Sequence, residues 1–154
     1  LSEDALTVSA VYDRLYQVLL NLLLNSVDAM APGAEAGEAE TPAEGSEVTV
    51  TLKPVGEKLQ VRVTDNGKGI PPEIRRRIFE PFFTTKQVGK GTGLGLYVSH
   101  QLVEKCGGTI TLEASEPGRT TFLIEFPRRA ELREAVTAAQ GPGAAGRIRS
   151  KVRS

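Results

Sequence analysis

The sequence is poor in the features that mark several common protein classes. Its 154 residues contain one cysteine, Cys106, which excludes an internal disulfide and leaves no set of zinc ligands. Its 19 basic and 19 acidic residues cancel, so no overall positive field favours nucleic acid as a partner. Its longest apolar run, "VLLNLLLN", is interrupted by asparagines and is too short to span a membrane. No secretory signal is recognisable, and we expect a reduced, cytoplasmic environment.

The length suits one domain with a proper hydrophobic core. The first residue is Leu1 rather than Met, so we expect part of a longer protein, whose remainder has room for a membrane anchor. The composition predicts a domain over residues 1–127 with a flexible acidic insert at about 32–46, which is rich in Ala, Gly, Pro and Glu. Residues 128–154 form a basic tail, for which we expect a short helix and then disorder.

Hydrophobic periodicity predicts two helices and two hairpins. Apolar side chains recur at helical spacing over residues 11–30, and a second helix is predicted over 94–106, before a Gly-Gly pair. Period-two alternation predicts one hairpin over 47–65 and another over 108–127. Because antiparallel hairpins are separated by helices, we expect an α+β two-layer sandwich with the helices on one face of the sheet.

The stretch "GKGTGLGL", residues 89–96, places glycines at every second position before the second helix. Glycine is costly in conformational entropy, so this spacing points to a demand on the backbone, either a positive φ or the close approach of a ligand such as phosphate. The spacing matches neither a Walker A loop nor a dinucleotide fingerprint. Glycine spacing alone leaves both explanations open.

Two further stretches carry polar groups at defined positions. "TDNGKGI" follows a predicted strand, and its Asp65 can accept a hydrogen bond from an exocyclic amine such as adenine N6, although Asp-Asn-Gly is also a common plain turn. Asn21 and Asn25 are four residues apart and share one helical face. An amide oxygen is a suitable ligand for Mg²⁺, but both amides can equally cap local backbone.

Taken together, these stretches resemble the ATP-binding catalytic domain of sensor histidine kinases, within the GHKL ATPase superfamily. "NLLLNSVDA", "DNGKG", "IFEPFFTTK" and "GKGTGLGL" correspond in order to the N, G1, F and G2 boxes, and the resemblance covers about residues 8–127. "NSVDAM" and "EPFFTTK" are similar to the nitrogen-regulation-type subgroup. The resemblance implies the Bergerat (GHKL) fold, with a mixed, mainly antiparallel sheet.

The resemblance also implies a role for each matching position. Asp65 would hold the adenine amine, with a bound water and Thr120 completing the polar contacts, in a pocket shaped by Gly67, Gly69 and Ile70. Asn25 would ligate Mg²⁺, with Asn21 as a second polar contact. The segment "EPFFTTKQVGKGTG" would be a mobile ATP lid, which Phe82 and Phe83 anchor and from which Lys86 reaches the phosphates. The phosphates would meet the glycine segment at Gly91, Thr92, Gly93, Leu94 and Gly95.

The implied activity is transfer of the γ-phosphate of Mg-ATP to a histidine, followed by transfer to a response-regulator aspartate. The histidine usually lies on a dimerising hairpin. The sole histidine, His100, has no acidic neighbour after it, so we expect no autophosphorylation by this chain alone and a monomer. Two alternatives stay open: a GHKL-type ATPase switch and a non-catalytic nucleotide-binding module. The ATPase relatives place a glutamate where this chain has Asn21, and an amide cannot accept a proton at neutral pH.

One position departs from the family pattern within the first box. Asp28 stands where many members carry a basic residue. The resemblance therefore implies that one phosphate contact is absent or is supplied by Lys86 or Lys90 instead.

Overall fold

The computed structural model describes residues 3–31, 43–86, 91–127 and 147–151, with side chains described at 13–31, 43–86 and 91–127. These described residues contain two helices, a short 3-10 turn and five strands. They are α1 (Glu3–Met30), β1 (Glu47–Val55), β2 (Lys58–Asp65), the 3-10 turn (Pro72–Ile74), α2 (Gly95–Lys105), β3 (Thr109–Glu116), β4 (Arg119–Pro127) and β5 (Arg147–Lys151). Within these residues, no helix is long and apolar enough to cross a membrane.

The strands form one sheet in the order β3-β4-β2-β1-β5. The β1–β2 and β3–β4 pairs are hairpins, and β2 pairs with β4 across the connection that contains α2. All four pairings among the described strands are antiparallel, where the sequence analysis expects a mixed, mainly antiparallel sheet. Because β2 and β4 are inner strands of the sheet, the end of β2 and the start of β4 lie beside the helices.

The core lies between the helices and one face of the sheet. Alternate residues of β2, such as Val61 and Val63, are buried, and they face alternate residues of β4, such as Ile124. α1 contributes Val18 and Leu22, whose four-residue spacing places them on one helical face. The buried residues of the strands, which recur with a period of two, thus pack against the buried residues of α1, which recur at helical spacing, in one apolar layer. This packing confirms the two-layer sandwich.

The predicted elements are confirmed with modest changes in their limits. α1 begins at Glu3 rather than at residue 11, and both hairpins and α2 lie within about two residues of their predicted positions. Most of the predicted insert, residues 32–42, and the predicted tail helix, residues 128–140, lie outside the described residues.

The end of the tail differs from the prediction of disorder. Arg147–Lys151 forms β5, which pairs antiparallel with β1. The segment carries one apolar residue, Ile148, among basic and small ones, so its sequence gives little strand signal. Its backbone hydrogen-bonding partner is the edge of β1, about a hundred residues away along the chain. Such a distant pairing cannot be inferred from local pattern.

Candidate functional site

Two adjoining cavities lie between α1, the ends of the central strands and the segment before α2. The inner cavity, of about 160 Å³, reaches the sheet; the outer cavity, of about 380 Å³, lies against the glycine segment. Six residues line both: Asn25, Ile78, Phe83, Thr84, Lys86 and Leu96. The two cavities are therefore parts of one cleft, with a deep end and an outer end.

Asp65 and Thr120 define the deep end. Asp65 is the last residue of β2 and pairs directly with Thr120 near the start of β4, so both side chains point to the same face of the sheet. Both line the inner cavity, and each is 3% exposed. The Thr120 hydroxyl has no hydrogen-bond partner among the described residues. A buried hydroxyl without a partner is costly, so it is a group that a bound ligand or water would satisfy.

Burial raises the pKa of the Asp65 carboxyl above its usual range, because desolvation disfavours the charged form. Two hydrogen bonds partly offset this effect. Oδ1 accepts the Gly67 N–H at 3.0 Å, and Oδ2 accepts the Ser26 hydroxyl at 3.0 Å. These contacts fix the carboxylate while leaving acceptor capacity on the cavity side.

Ser26 is a site residue that the sequence analysis missed. It is buried on α1, next to Asn25, and links the helix to the end of β2 through its bond to Asp65. Its only signal in the sequence is its place inside "NSVDA", where a small polar residue follows the second asparagine. The apolar lining residues Ile74, Ile78, Leu96 and Phe122 were also missed, because apolar residues in the sequence cannot be divided into core and cavity wall.

The two asparagines of α1 differ in their surroundings. Asn21 lines the outer cavity, and its Nδ2 donates to the Gly95 carbonyl and to Ser99 Oγ, both at 3.3 Å, so it links α1 to α2. Asn25 lines both cavities, and its side chain makes no hydrogen bond to any described residue. The Asn25 amide is thus the polar group of α1 that is free to meet a ligand inside the cleft.

The loop after β2 is shaped by close backbone contacts. A Cβ at Gly67 would lie 2.9 Å from Ala29 Cβ and from Asp65 Oδ1, and one at Gly69, where φ is +79°, would lie 2.9 Å from the Glu116 backbone. Neither glycine lines either of the two cavities described here, whereas Ile70 lines the inner one. The two glycines therefore shape the pocket indirectly, by letting the loop lie against α1 and the β3–β4 turn.

The glycine segment lies on the outer cavity. Gly91, Thr92, Gly93 and Gly95 line it, while Leu94 does not. At Gly93, φ is +66°, and a Cβ would lie 2.4 Å from the carbonyl carbon of Phe82. A side chain is excluded there both by conformation and by space, so close packing against the preceding segment is one reason for glycine at this position.

The two phenylalanines of "EPFF" have opposite environments. Phe83 lines both cavities, and the Arg77 guanidinium lies 4.5 Å from the centre of its ring. Phe82 has a φ of +63°, its side chain is 75% exposed, and it lines neither cavity. The prediction that Phe82 anchors the lid stays a prediction; the part of Phe82 that packs on the glycine segment is its backbone, at Gly93.

Lys86 lies at the mouth of the cleft and is paired with Asp28. Its Nζ donates to Asp28 Oδ2, and both residues line the outer cavity. The sequence analysis predicts that Lys86 reaches phosphates, and it assigns no role to Asp28. The structure brings Lys86 to the predicted region but places a carboxylate of α1 against its charge.

The cleft does not include the histidine. His100 lies on α2, where its ring packs against Phe79 at 5.5 Å between centres and its Nδ1 is 3.3 Å from Glu104 Oε2. It lines neither cavity. The remaining polar lining consists of hydroxyls, amides and one ion pair, and no cluster of three or more His, Cys, Asp or Glu is found in the described part of the chain.

A family model described as "Histidine kinase-, DNA gyrase B-, and HSP90-like ATPase" matches residues 10–130. The chain belongs to this ATPase family. Its curated relatives include the two-component sensor PprA of Pseudomonas aeruginosa, 43% identical over 75% of this chain and 12% of PprA, and the sensor histidine kinase ZraS of Escherichia coli K12, 40% identical over 78% of this chain and 23% of ZraS.

Solved structures of histidine kinases share this family's fold with the chain. The catalytic domain of ThkA superposes with a TM-score of 0.59 at 34% identity, over 75% of this chain and 67% of that one. The mycobacterial sensor histidine kinase MprB gives 0.57 at 32% identity, over 75% of this chain and 70% of that one. The chain is thus homologous to the ATP-binding catalytic domains of sensor histidine kinases, and it spans between an eighth and a quarter of the length of PprA and ZraS.

Proposed function

We propose that this chain binds Mg-ATP in the cleft and donates the γ-phosphate to a histidine on a dimerisation hairpin outside this chain, for onward transfer to a response-regulator aspartate. One observation carries the proposal. Asp65 and Asn25 line the same cavity from two different elements, one with a buried carboxylate and the other with an unpaired amide. An ATPase-family fold with this polar pair fits a purine at the deep end and phosphates at the outer end.

The inner cavity suits an adenine ring. Its walls are largely apolar, with Ile70, Ile78 and Phe122 among them, and its polar lining includes Asp65, Ser26 and Thr120 at the deep end. A carboxylate that already accepts two hydrogen bonds has lone pairs left for an exocyclic amine. The unpaired Thr120 hydroxyl can bond the ring, directly or through a water. One structural relative, full-length ShkA, is complexed with AMPPNP.

The outer cavity fits a triphosphate with a magnesium ion. Mg²⁺ prefers oxygen ligands and usually keeps waters and phosphates in its shell, so one protein amide is a sufficient anchor. Asn25 Oδ1 is the candidate ligand, and Asn21 places a second amide on the same helical face. A bound Mg²⁺ neutralises phosphate charge; the chain itself contributes Lys86 and the backbone at the start of α2, where N–H groups favour anions.

Asn21 argues for transfer rather than hydrolysis. Its amide donates to Gly95 and Ser99, so it holds the two helices together and offers no base to activate water. We therefore expect slow turnover of ATP by the chain alone. The alternative of a self-contained ATPase switch predicts substantial turnover, and the alternative of a non-catalytic module predicts nucleotide binding without transfer.

A surface beside the outer cavity suits an approaching acceptor. Tyr16, Leu20 and Leu24 recur every four residues on α1 and are exposed, and Leu24 also lines the outer cavity. An apolar stripe next to the place of the terminal phosphate is a surface that a helical hairpin can cover. We propose that the hairpin docks there and that the chain by itself is monomeric. The nitrogen-regulation-type subgroup stays a prediction.

The test uses this chain, a separately produced acceptor hairpin of the same protein and γ-labelled ATP. We expect label on the hairpin histidine, no label on this chain, and little free phosphate. Rapid release of phosphate without the hairpin would favour the ATPase switch. Tight ATP binding with no label on the hairpin would favour the non-catalytic module.

A further inference from the structure

The Asp28–Lys86 ion pair connects two parts of the site that are distant in sequence. Asp28 lies in the last turns of α1, and Lys86 lies between Phe83 and the glycine segment. Lys86 also fills the space next to Gly91, where a Cβ would lie 2.9 Å from Lys86 Cδ. One side chain therefore contacts both α1 and the start of the glycine segment. We call residues 83–86 and 91–94, most of which line the outer cavity, the covering segment.

The pair also sets the charge of the outer cavity. Asn21, Asn25 and Thr84 are neutral, so Asp28 and Lys86 are the charged side chains among the described residues that line it. The positive charge is already neutralised by a carboxylate when no nucleotide is bound. A triphosphate entering this cavity presents anionic oxygens to the same ammonium group, and it must compete with Asp28 for it.

We propose that Asp28 is a positioning residue that acts through Lys86. Before ATP binds, the ion pair between Asp28 and Lys86 holds the covering segment on α1. When ATP binds, its terminal phosphates displace Asp28 as the partner of Lys86. Asp28 thereby determines how much the terminal phosphates contribute to nucleotide affinity. This inference rests on the proposed binding of ATP in the cleft, and it assigns a function to the acidic residue that departs from the family pattern.

The partners are only partly buried, with side chains 38% exposed for Lys86 and 30% for Asp28, so the effect is bounded. Partly exposed ion pairs contribute little, and releasing Lys86 from one changes affinity by about two- to fivefold. In the absence of Mg²⁺, Asp28→Asn is expected to raise ATP affinity by this factor, to raise ADP affinity less, and to leave adenosine affinity unchanged. Titration calorimetry with the three ligands measures these differences.

A double variant separates an effect through Lys86 from a direct one. In the Lys86→Met background, Asp28→Asn should no longer change ATP affinity. The matched control is Asp13→Asn, which removes the same charge from an exposed position of α1 about 22 Å away along the helix, and it should leave all three affinities unchanged. A gain that persists in the Lys86→Met background would show direct repulsion of phosphate. A loss of affinity confined to Mg²⁺ conditions would make Asp28 a metal ligand. Either result overturns the proposal.

Hydrogen exchange without nucleotide gives a second readout. Asp28→Asn should speed exchange at residues 83–86 and 91–94, with β2 and β4 unchanged, whereas unchanged exchange at the covering segment would contradict the proposal. Should the unmodified chain fail to bind ATP, the proposed function falls, and this exchange experiment still decides whether Asp28 holds the segment. ATP binding that is insensitive to Asp28→Asn would overturn the inference alone.

Discussion

At the scale of single residues, the cleft combines a fixed acceptor with polar groups that the protein leaves unsatisfied. Asp65 is buried and held by two donors, whereas the Thr120 hydroxyl and the Asn25 amide have no partner among the described residues. Folding leaves such groups unpaired at a cost in stability. A bound ligand can satisfy these groups and so offset that cost. Substitutions of these residues should therefore affect ligand binding more than the small change in side-chain size indicates.

Asp65→Asn should lower ATP affinity about ten- to hundredfold, or roughly 1.5–3 kcal/mol, because a neutral amide replaces the charged acceptor of the adenine amine. Calorimetric titration with ATP measures the loss. Ser26→Ala is the comparison, since it removes one donor to Asp65 and keeps the carboxylate. Its effect should be smaller. An unchanged affinity in Asp65→Asn would reject the purine-binding role.

Adenosine affinity should fall as the pH is lowered through the raised pKa of Asp65, since the protonated acid is a weaker acceptor. The effect of Asp65 on folding stability depends on pH in the opposite direction. A pKa raised in the folded state means that folding is favoured by the proton, so this contribution to stability declines as pH rises from the ordinary Asp range to the raised pKa. Adenosine titrations across this window, with Asp65→Asn as the pH-insensitive control, test the expectation.

Asn25→Ala should weaken nucleotide binding more in the presence of Mg²⁺ than in its absence. Asn25 is the amide that faces both cavities without a protein partner, and its oxygen is the proposed metal ligand. ATP titrations with Mg²⁺ and with a chelator supply the comparison. Equal losses under both conditions would count against metal ligation.

At the scale of elements, the glycine segment joins the cleft to α2 under two different constraints. Gly93 has a positive φ and packs on the Phe82 backbone, whereas a Cβ at Gly95, the first residue of α2, would meet nothing within 4 Å. One glycine is therefore required by the folded chain itself. At Gly95 the position of a side chain is empty and the residue lines the outer cavity, so the missing side chain leaves room for a ligand.

Gly93→Ala and Gly95→Ala should separate these two requirements. Gly93→Ala should destabilise the domain by about 1–3 kcal/mol and reduce ATP affinity, because the left-handed backbone and the contact with Phe82 are both disturbed. Gly95→Ala should keep or slightly raise stability, since alanine favours helix, while still reducing ATP affinity. Thermal unfolding and ATP titration test each variant. Full ATP affinity in Gly95→Ala would argue against close approach of phosphate there.

At the scale of the whole molecule, one face of α1 packs on the sheet and another is left uncovered. Val18 and Leu22 are buried, while Tyr16, Leu20 and Leu24 are exposed at 69%, 42% and 54%. The same helix therefore supports the core, supplies the asparagines of the cleft and presents an apolar stripe beside its mouth. This arrangement would place the proposed docking surface close to the proposed position of the terminal phosphate.

Leu20→Gln should reduce phosphorylation of the acceptor hairpin several-fold while ATP affinity stays unchanged, because Leu20 belongs to the stripe but lines neither cavity. Labelled transfer and ATP titration measure the two properties separately. Val55→Gln is the matched control, since Val55 is similarly exposed at 49% but lies at the end of β1. Equal transfer by both variants would place docking elsewhere.

Local pattern was sufficient for much of this protein. Alternation predicted β1–β4, helical spacing predicted α1 and α2, and the resemblance to the kinase domain predicted that Asn25, Asp65 and Thr120 share one site. The elements follow from neighbouring residues in the chain, because burial of one helix or strand face imposes a fixed period on its sequence. The family could likewise be recognised from four short motifs.

Only the tertiary structure decided the contacts between distant segments. The Ser26 bond to Asp65, the pairing of Asp28 with Lys86, the opposite environments of Phe82 and Phe83, and the addition of β5 all join residues whose sequence neighbours give no sign of them. The reason is physical: a side chain's partner depends on how helices, strands and loops pack in space. The sequence by itself determined the two helices and β1–β4, and their packing determined which polar groups meet and which remain for a ligand.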